Sequence, residues 1–166
     1  MLKKTNKELI KNEGFTLIEL VISLTIIAVL STIGIAAFVN QSRTSALQSG
    51  VSDFVSTLNV AKSRAMSQVK PSICVGDLEG YTVTVVQPAT NSFKLYVNCG
   101  GNDFPISAEK FPANVTFGTG NGETTSFSFF FSVLTNSVQG AGQVTIKGYG
   151  SSKVVVVDSA GNIKVN

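Results

Sequence analysis

The stretch Gly14-Phe15-Thr16-Leu17-Ile18-Glu19, with the apolar run it opens as far as Val39, decides how the rest of the chain is read. From Phe15 to Val39 there are 25 residues and one formal charge, Glu19. As a helix rising about 1.5 Å per residue the run is roughly 37 Å long. A bilayer's hydrocarbon core is about 30 Å thick, so a helix of that length would cross it with some tilt. Lys3, Lys4, Lys7 and Lys11 stand directly before the run. By the positive-inside bias they hold the N-terminus on the cytoplasmic side, and everything after Asn40 is exported.

Glu19 is out of place in such a run. A carboxylate in a membrane helix costs up to a few kcal/mol and is by default a candidate functional residue. A plainer account is that Glu19, one turn into the helix, reaches the lipid headgroups.

The string Lys11-Asn-Glu-Gly-Phe-Thr-Leu-Ile-Glu-Leu20 resembles the processing site of type IV prepilins, a family that includes the pseudopilins of type II secretion. The resemblance implies cleavage between Gly14 and Phe15 by a prepilin peptidase, then N-methylation of Phe15. Glu19 becomes the carboxylate that guides assembly. Charge physics agrees with that role. A freed ammonium at Phe15 and a carboxylate at Glu19 are each costly alone in low dielectric and better paired. Pairing between neighbouring subunits would set the axial register of a filament.

The overall charge of +3 misleads as to partners. Most of it sits in the leader, and the chain from Phe15 onward has a side-chain balance of only +1. No basic field therefore points to nucleic acid or acidic lipid. Ordinary secretory signals have an apolar core of about 7–15 residues before a small-x-small site. This run is longer, although Gly34-Ile35-Ala36 is a weak match to such a site. No cysteine follows that would carry a lipid anchor. The two cysteines, Cys74 and Cys99, both lie in the exported part, where an even count reads as one disulfide. Closing that loop is worth about 3.5 kcal/mol in the chain-entropy model. Zinc needs four ligands, and without a single histidine only carboxylates would supplement the thiols.

Taken in order, residues 1–14 are a polar, basic leader and 15–39 the membrane or assembly helix. Ser23, Thr25, Ser31 and Thr32 are tolerable there because a hydroxyl bonds back to its own helix. Residues 40–70 continue as an amphipathic helix. Leu47, Val51, Phe54, Leu58, Ala61 and Ala65 recur at alternating spacings of four and three, which makes one apolar stripe. The pattern predicts a continuous helix from Phe15 to about Gln68, stopped by Pro71. Residues 71–166 form a β-rich head of short runs split by turn residues. Strands are expected at 73–75, 81–86, 93–97, 115–117, 126–132, 143–147, 153–158 and 162–165. Phe127, Phe129 and Phe131 alternate with serines, so one face is buried. Phe130 breaks the alternation and marks a bulge or a contact surface.

The expected fold class is therefore α+β, a long N-terminal helix packed on a C-terminal antiparallel sheet. That layout with a Cys pair resembles the GspH/FimT branch of minor pilins and pseudopilins. The closing run Val154-Val-Val-Val-Asp-Ser-Ala-Gly-Asn-Ile-Lys-Val165 supports the branch. Its members commonly end in a Gly-Arg-x-Arg tail, matched here by Gly161, Asn162, Ile163 and Lys164. Major pilins often carry proline where this chain has Ala36 and glycine where it has Ala28, a departure that implies a straighter helix. The function implied is a minor pilin or pseudopilin of a type IV pilus or type II secretion pseudopilus. A tip module binding DNA or a surface, and a main filament subunit, are the alternatives. The partners implied are the prepilin peptidase, other pilins and inner-membrane lipid. The chain would sit first in the inner membrane in a single pass, and then in the filament.

Without histidine no Ser-His-Asp, Cys-His or His-metal site is possible, and neither an enzyme nor a cofactor is expected. A carboxylate hydrolase would draw on Asp77, Glu79, Asp103, Glu109, Glu123 or Asp158, which no spacing brings together. Gly118 to Gly122 lacks the Lys-Ser/Thr of a phosphate loop. Relatives linked to DNA uptake point to basic residues of the tail as phosphate contacts. Here those are Lys147, Lys153 and Lys164, a weak footprint that also suits a sheet edge guarded by lysines.

Overall fold

Short turn-separated runs of alternating apolar residues leave no room for crossover helices, and the strands they form are all antiparallel. The computed structural model describes residues 14–86, 91–118, 126–135 and 137–166. Leader residues 1–13, Thr90, Glu123 and most of the glycine-rich turn after Gly118 lie outside the described residues. The chain divides into two units, one ending at Asn40 and one spanning Gln41–Asn166.

Helix α1 runs over Leu17–Met66. In the first unit its large apolar side chains, from Leu17 at 83% exposure to Phe38 at 74%, have no protein over them. Among the described residues no helix is long and apolar enough to cross a membrane. Residues 32–34 and 36, which complete the apolar run in the sequence, lie outside the described side chains.

In the second unit the expected stripe is the buried one. Leu47, Val51, Phe54, Leu58, Ala61 and Ala65 all join the core. The helix stops earlier than proline alone requires. Gln68 takes a left-handed backbone, φ 50°, and the N–H groups of Gln68 and Val69 donate to the carbonyls of Ala65 and Arg64. That pair of bonds is a Schellman turn, with glutamine where glycine is usual.

The fold is the α+β class expected, an N-terminal helix followed by an antiparallel β head, and the strands of the head divide between two sheets. The first has strand order β3-β2-β1-β5-β6, from β1 (Leu78–Val86), β2 (Ser92–Cys99), β3 (Asn102–Lys110), β5 (Ser126–Ser132) and β6 (Val138–Gln139). The second has order β4-β7-β8-β9, from β4 (Val115–Gly118), β7 (Gly142–Gly148), β8 (Ser151–Val157) and β9 (Ile163–Val165). Phe54 serves both. Its ring meets Phe93 of β2 at 5.4 Å, Phe117 of β4 at 5.2 Å and Phe129 of β5 at 6.4 Å between centroids.

Three sequence expectations fail, each for a local reason. Residues 73–75 are not a strand: Cys74 N–H turns back to the Pro71 carbonyl, and its side chain is tied to Cys99. Strand β3 is missed because Pro105 argues against a strand. It is tolerated on the sheet edge at a register shift, where Tyr96 faces Pro105 and Leu95 faces Ser107, leaving Ile106 as the extra residue of a bulge. Two-residue β6 is too short to show a period.

Phe130 marks no bulge, since β1 and β5 pair without interruption from Gly80–Ser132 to Val86–Ser126. Its ring instead covers Gly80, where a Cβ would stand 2.5 Å from Phe130 Cε2. Gly50 has a comparable explanation. A Cβ there would lie 2.8 Å from Phe111 Cδ1, and Phe111 is itself wedged against Phe93 and Phe117. Alanine at this position would gain about 1 kcal/mol of helix propensity. It would lose about 1–3 kcal/mol to overpacking, so glycine is favoured.

Candidate functional site

Thr16 is the residue before α1, and its hydroxyl accepts the Glu19 N–H at 3.3 Å. Thr16 is thus the N-cap and Glu19 the third helical residue, the spacing of a capping box. This role was legible in Thr16-Leu17-Ile18-Glu19 and is one that the membrane reading of Glu19 passes over. A carboxylate in the first turn also faces the positive end of the helix dipole. Gly14 and Phe15 precede the cap, and Phe15 is 80% exposed.

The hydroxyls deeper in the run behave as expected. Ser23 donates to the Glu19 carbonyl at 2.8 Å, Thr25 to Ile22 at 2.7 Å and Ser31 to Ile27 at 2.7 Å. With their polar hydrogens used inside the helix, these residues leave its surface compatible with an apolar medium.

Comparison with protein-family models matches residues 10–35 to the prokaryotic N-terminal methylation motif. The chain carries an N-terminal methylation motif. The match spans Gly14, Phe15, the Thr16 cap and Glu19, and ends inside the apolar run. No curated protein and no solved structure matches the chain.

Away from the methylation motif, the other sequence-nominated residues are scattered. Cys74 and Cys99 are joined, with Cα atoms 5.6 Å apart. The bridge pins the link between α1 and β1 to the end of β2, and Lys70 Nζ donates to the Gly76 carbonyl beside it at 2.6 Å. Replacing both cysteines by alanine should cost about 3 kcal/mol, as for a loop of this size. The loss would be read as a lower denaturation midpoint, together with faster amide exchange over residues 69–77.

The three lysines do not form one patch. Lys153 lies opposite buried Ile146 and so stands on the inner face of its sheet, where it lines a groove with Leu47 and Val51 of α1. Lys147 and Lys164 pair with Ser152 and Val156 on the outer face. From strand spacings they are roughly 16 Å apart. Lys164 also acts on a neighbour. Asp158 accepts from the Asn162 side-chain amide and from its backbone N–H, both at 2.8 Å. Those bonds, with the nearby Lys164 charge, hold the Asp158 carboxyl below its usual range.

A lowered folded pKa stabilises above the unfolded value, about 3.9, and the stabilisation is lost as pH falls through the folded one. Relative to its intrinsic rate, amide exchange at Asn162 should therefore lose protection below about pH 4, and Asp158→Asn should remove that change in protection. Glu79 and Asp103 are likewise engaged, with the Gly101 N–H and the Asn98 amide. Among the described residues no three His, Cys, Asp or Glu side chains gather as a metal site.

Proposed function

We propose that this chain is a type IV pilin-like subunit, a minor pilin or pseudopilin of a pilus or secretion pseudopilus. The observation that carries the proposal is the methylation motif lying across the cap of a helix with an unburied apolar run. The fourteen described large apolar residues from Phe15 to Val39 are worth roughly 20–40 kcal/mol once covered. That exceeds the whole stability of an ordinary domain, so the run has to be covered in the cell.

Lipid covers it first, in a single pass with the four leader lysines on the cytoplasmic side. A prepilin peptidase cuts after Gly14, and Phe15 is methylated. The helix then exchanges lipid for the helices of neighbouring subunits. Exchanging one apolar medium for another changes the hydrophobic energy little, so charge matching decides the register. Phe15 ammonium of one subunit meets Glu19 of the next, and the β head is left outside.

Intact-mass analysis of the protein from its own host tests this. The expected mass is that of residues 15–166 plus one methyl and minus two hydrogens. A chain beginning at Met1 would be a membrane-anchored β head with no assembly step. One cut near Ala36 would be a secreted domain.

A further inference from the structure

The second sheet ends on β9, and the bonds between β9 and β8 fix which way its backbone groups point. Asn166 and Val154 exchange both backbone bonds, at 2.9 and 3.0 Å, and the Asp158 N–H donates to the Asn162 carbonyl at 3.1 Å. Bonded positions alternate in an antiparallel ladder, so the N–H and C=O groups of Ile163 and Val165 point away from β8. Among the described residues no backbone partner meets them. The other sheet edges are blunted. Strand β3 carries Pro105 and a bulge, β6 has two residues, and β4 has four ending in Gly118. Strand β9 has neither proline nor bulge.

Part of α1 runs beside this edge. Val165 stands opposite buried Val155, on the inner face of the sheet, and is itself exposed. With Lys153 it lines a groove whose other wall is Thr44, Leu47, Gln48 and Val51 of α1. The groove holds about 160 Å³, close to the cavity of about 150 Å³ that accepts a benzene ring. One branched aliphatic side chain fits it. The surroundings are basic. Lys62 donates to the Gly161 carbonyl at 2.9 Å, just before β9, while Lys164 is on β9 and Lys153 lies beside Val165 in the groove. Residues 44–52, 142–157 and 159–166 contain no Asp or Glu. Asp158, at the turn before β9, is taken up by Asn162.

We propose that β9 is a docking edge for an extended acidic segment of another protein, which joins the sheet as a further strand. Such a strand lies about 4.8 Å beyond β9 and bonds to the outward groups of Ile163 and Val165. Its side chains alternate between the two faces of the sheet. An inward aliphatic residue enters the groove between Val165 and α1, and an inward carboxylate meets Lys153. Outward carboxylates meet Lys164 on the other face. Charge selects the partner, because lysines on an edge repel a basic strand and attract an acidic one. All these groups belong to the unit Gln41–Asn166, and none depends on how the apolar run is covered.

The full chain in neutral detergent is mixed with the blocked octapeptide Thr-Val-Glu-Val-Glu-Glu-Glu-Thr, which has valines and a glutamate on one face and glutamates on the other. With peptide at about a hundred times its dissociation constant, exchange of the Ile163 and Val165 amides should slow about a hundredfold. Lys153→Glu with Lys164→Glu should weaken binding more than about tenfold, with amide exchange in β7 unchanged. Two further peptides are N-methylated at the odd or at the even residues. One of them should fail to bind, since only one set of N–H groups faces β9. Equal protection by both methylated forms overturns strand addition. Equal protection by a peptide with lysine in place of glutamate overturns the acidic partner. No protection with any peptide overturns the docking edge altogether. Protection that appears without peptide, as the protein concentration rises, would assign the edge to a second copy of the chain and overturn a separate partner.

Discussion

Glu19→Ala should still be cleaved after Gly14, yet fail to incorporate into filaments. In the proposed processing the peptidase acts on the bond before Phe15, four residues away, and alanine preserves the helix. The assembly step is different. Leaving the Phe15 ammonium of a neighbour buried without its partner costs about 3–5 kcal/mol, roughly a hundredfold to five-thousandfold in incorporation. Glu19 is also the third residue after the Thr16 cap and donates its backbone N–H to it, and Glu19→Gln keeps a residue suited to that position while removing the charge. Glutamine serves in a capping box as well as glutamate does, but carries no charge. If Glu19→Gln assembles normally, the charge-matching account is wrong. The readout is the amount of sheared filament per cell beside the amount of cleaved subunit in the membrane. Thr16→Ala, which removes only the cap, should cost about 1 kcal/mol and leave incorporation nearly intact.

Phe54→Ala should destabilise the head by about 3–5 kcal/mol, a third or more of what a domain of this size usually possesses. Phe54 is fully buried, and its ring touches β2, β4 and β5 at once. Removing it leaves a cavity bounded by strands of both sheets, which cannot close in from both sides. Val60→Ala, on the exposed side of the same helix, should change stability by less than about 0.5 kcal/mol. Denaturant midpoints followed by near-UV circular dichroism compare the two. A loss below about 1 kcal/mol at Phe54 would mean that the helix is not the common wall of the two sheets.

Much of this protein could be read from the chain alone, because the deciding signals are local. A helix forms wherever apolar residues repeat with its period, so Leu47 to Ala65 identified the buried stripe residue by residue. The alternation in β5 placed Phe129 and Phe131 inside for the same reason. The Gly14–Glu19 stretch lies in a contiguous string that matches the methylation motif, and needs no fold to be recognised. Even the cap that Thr16 makes lay within four residues of sequence.

The division of the strands between two sheets, by contrast, depends on which edges meet after the chain has doubled back, and no single run encodes that. Pro105 argues against a strand until an edge position and a bulge relieve it of donating a hydrogen bond. Gly50 looks like a weak point in the helix until Phe111 arrives from another part of the chain to occupy the space. Lys147, Lys153 and Lys164 look like one basic tail in sequence, but a period of two sends Lys153 to the opposite face from the other two. Arg43 and Tyr149, 106 positions apart, meet only because the β7–β8 turn folds back beside the start of the helix in the head. Local periodicity and contiguous motifs are properties of the sequence; contacts between distant segments exist only once packing has chosen among the partners each segment could have had.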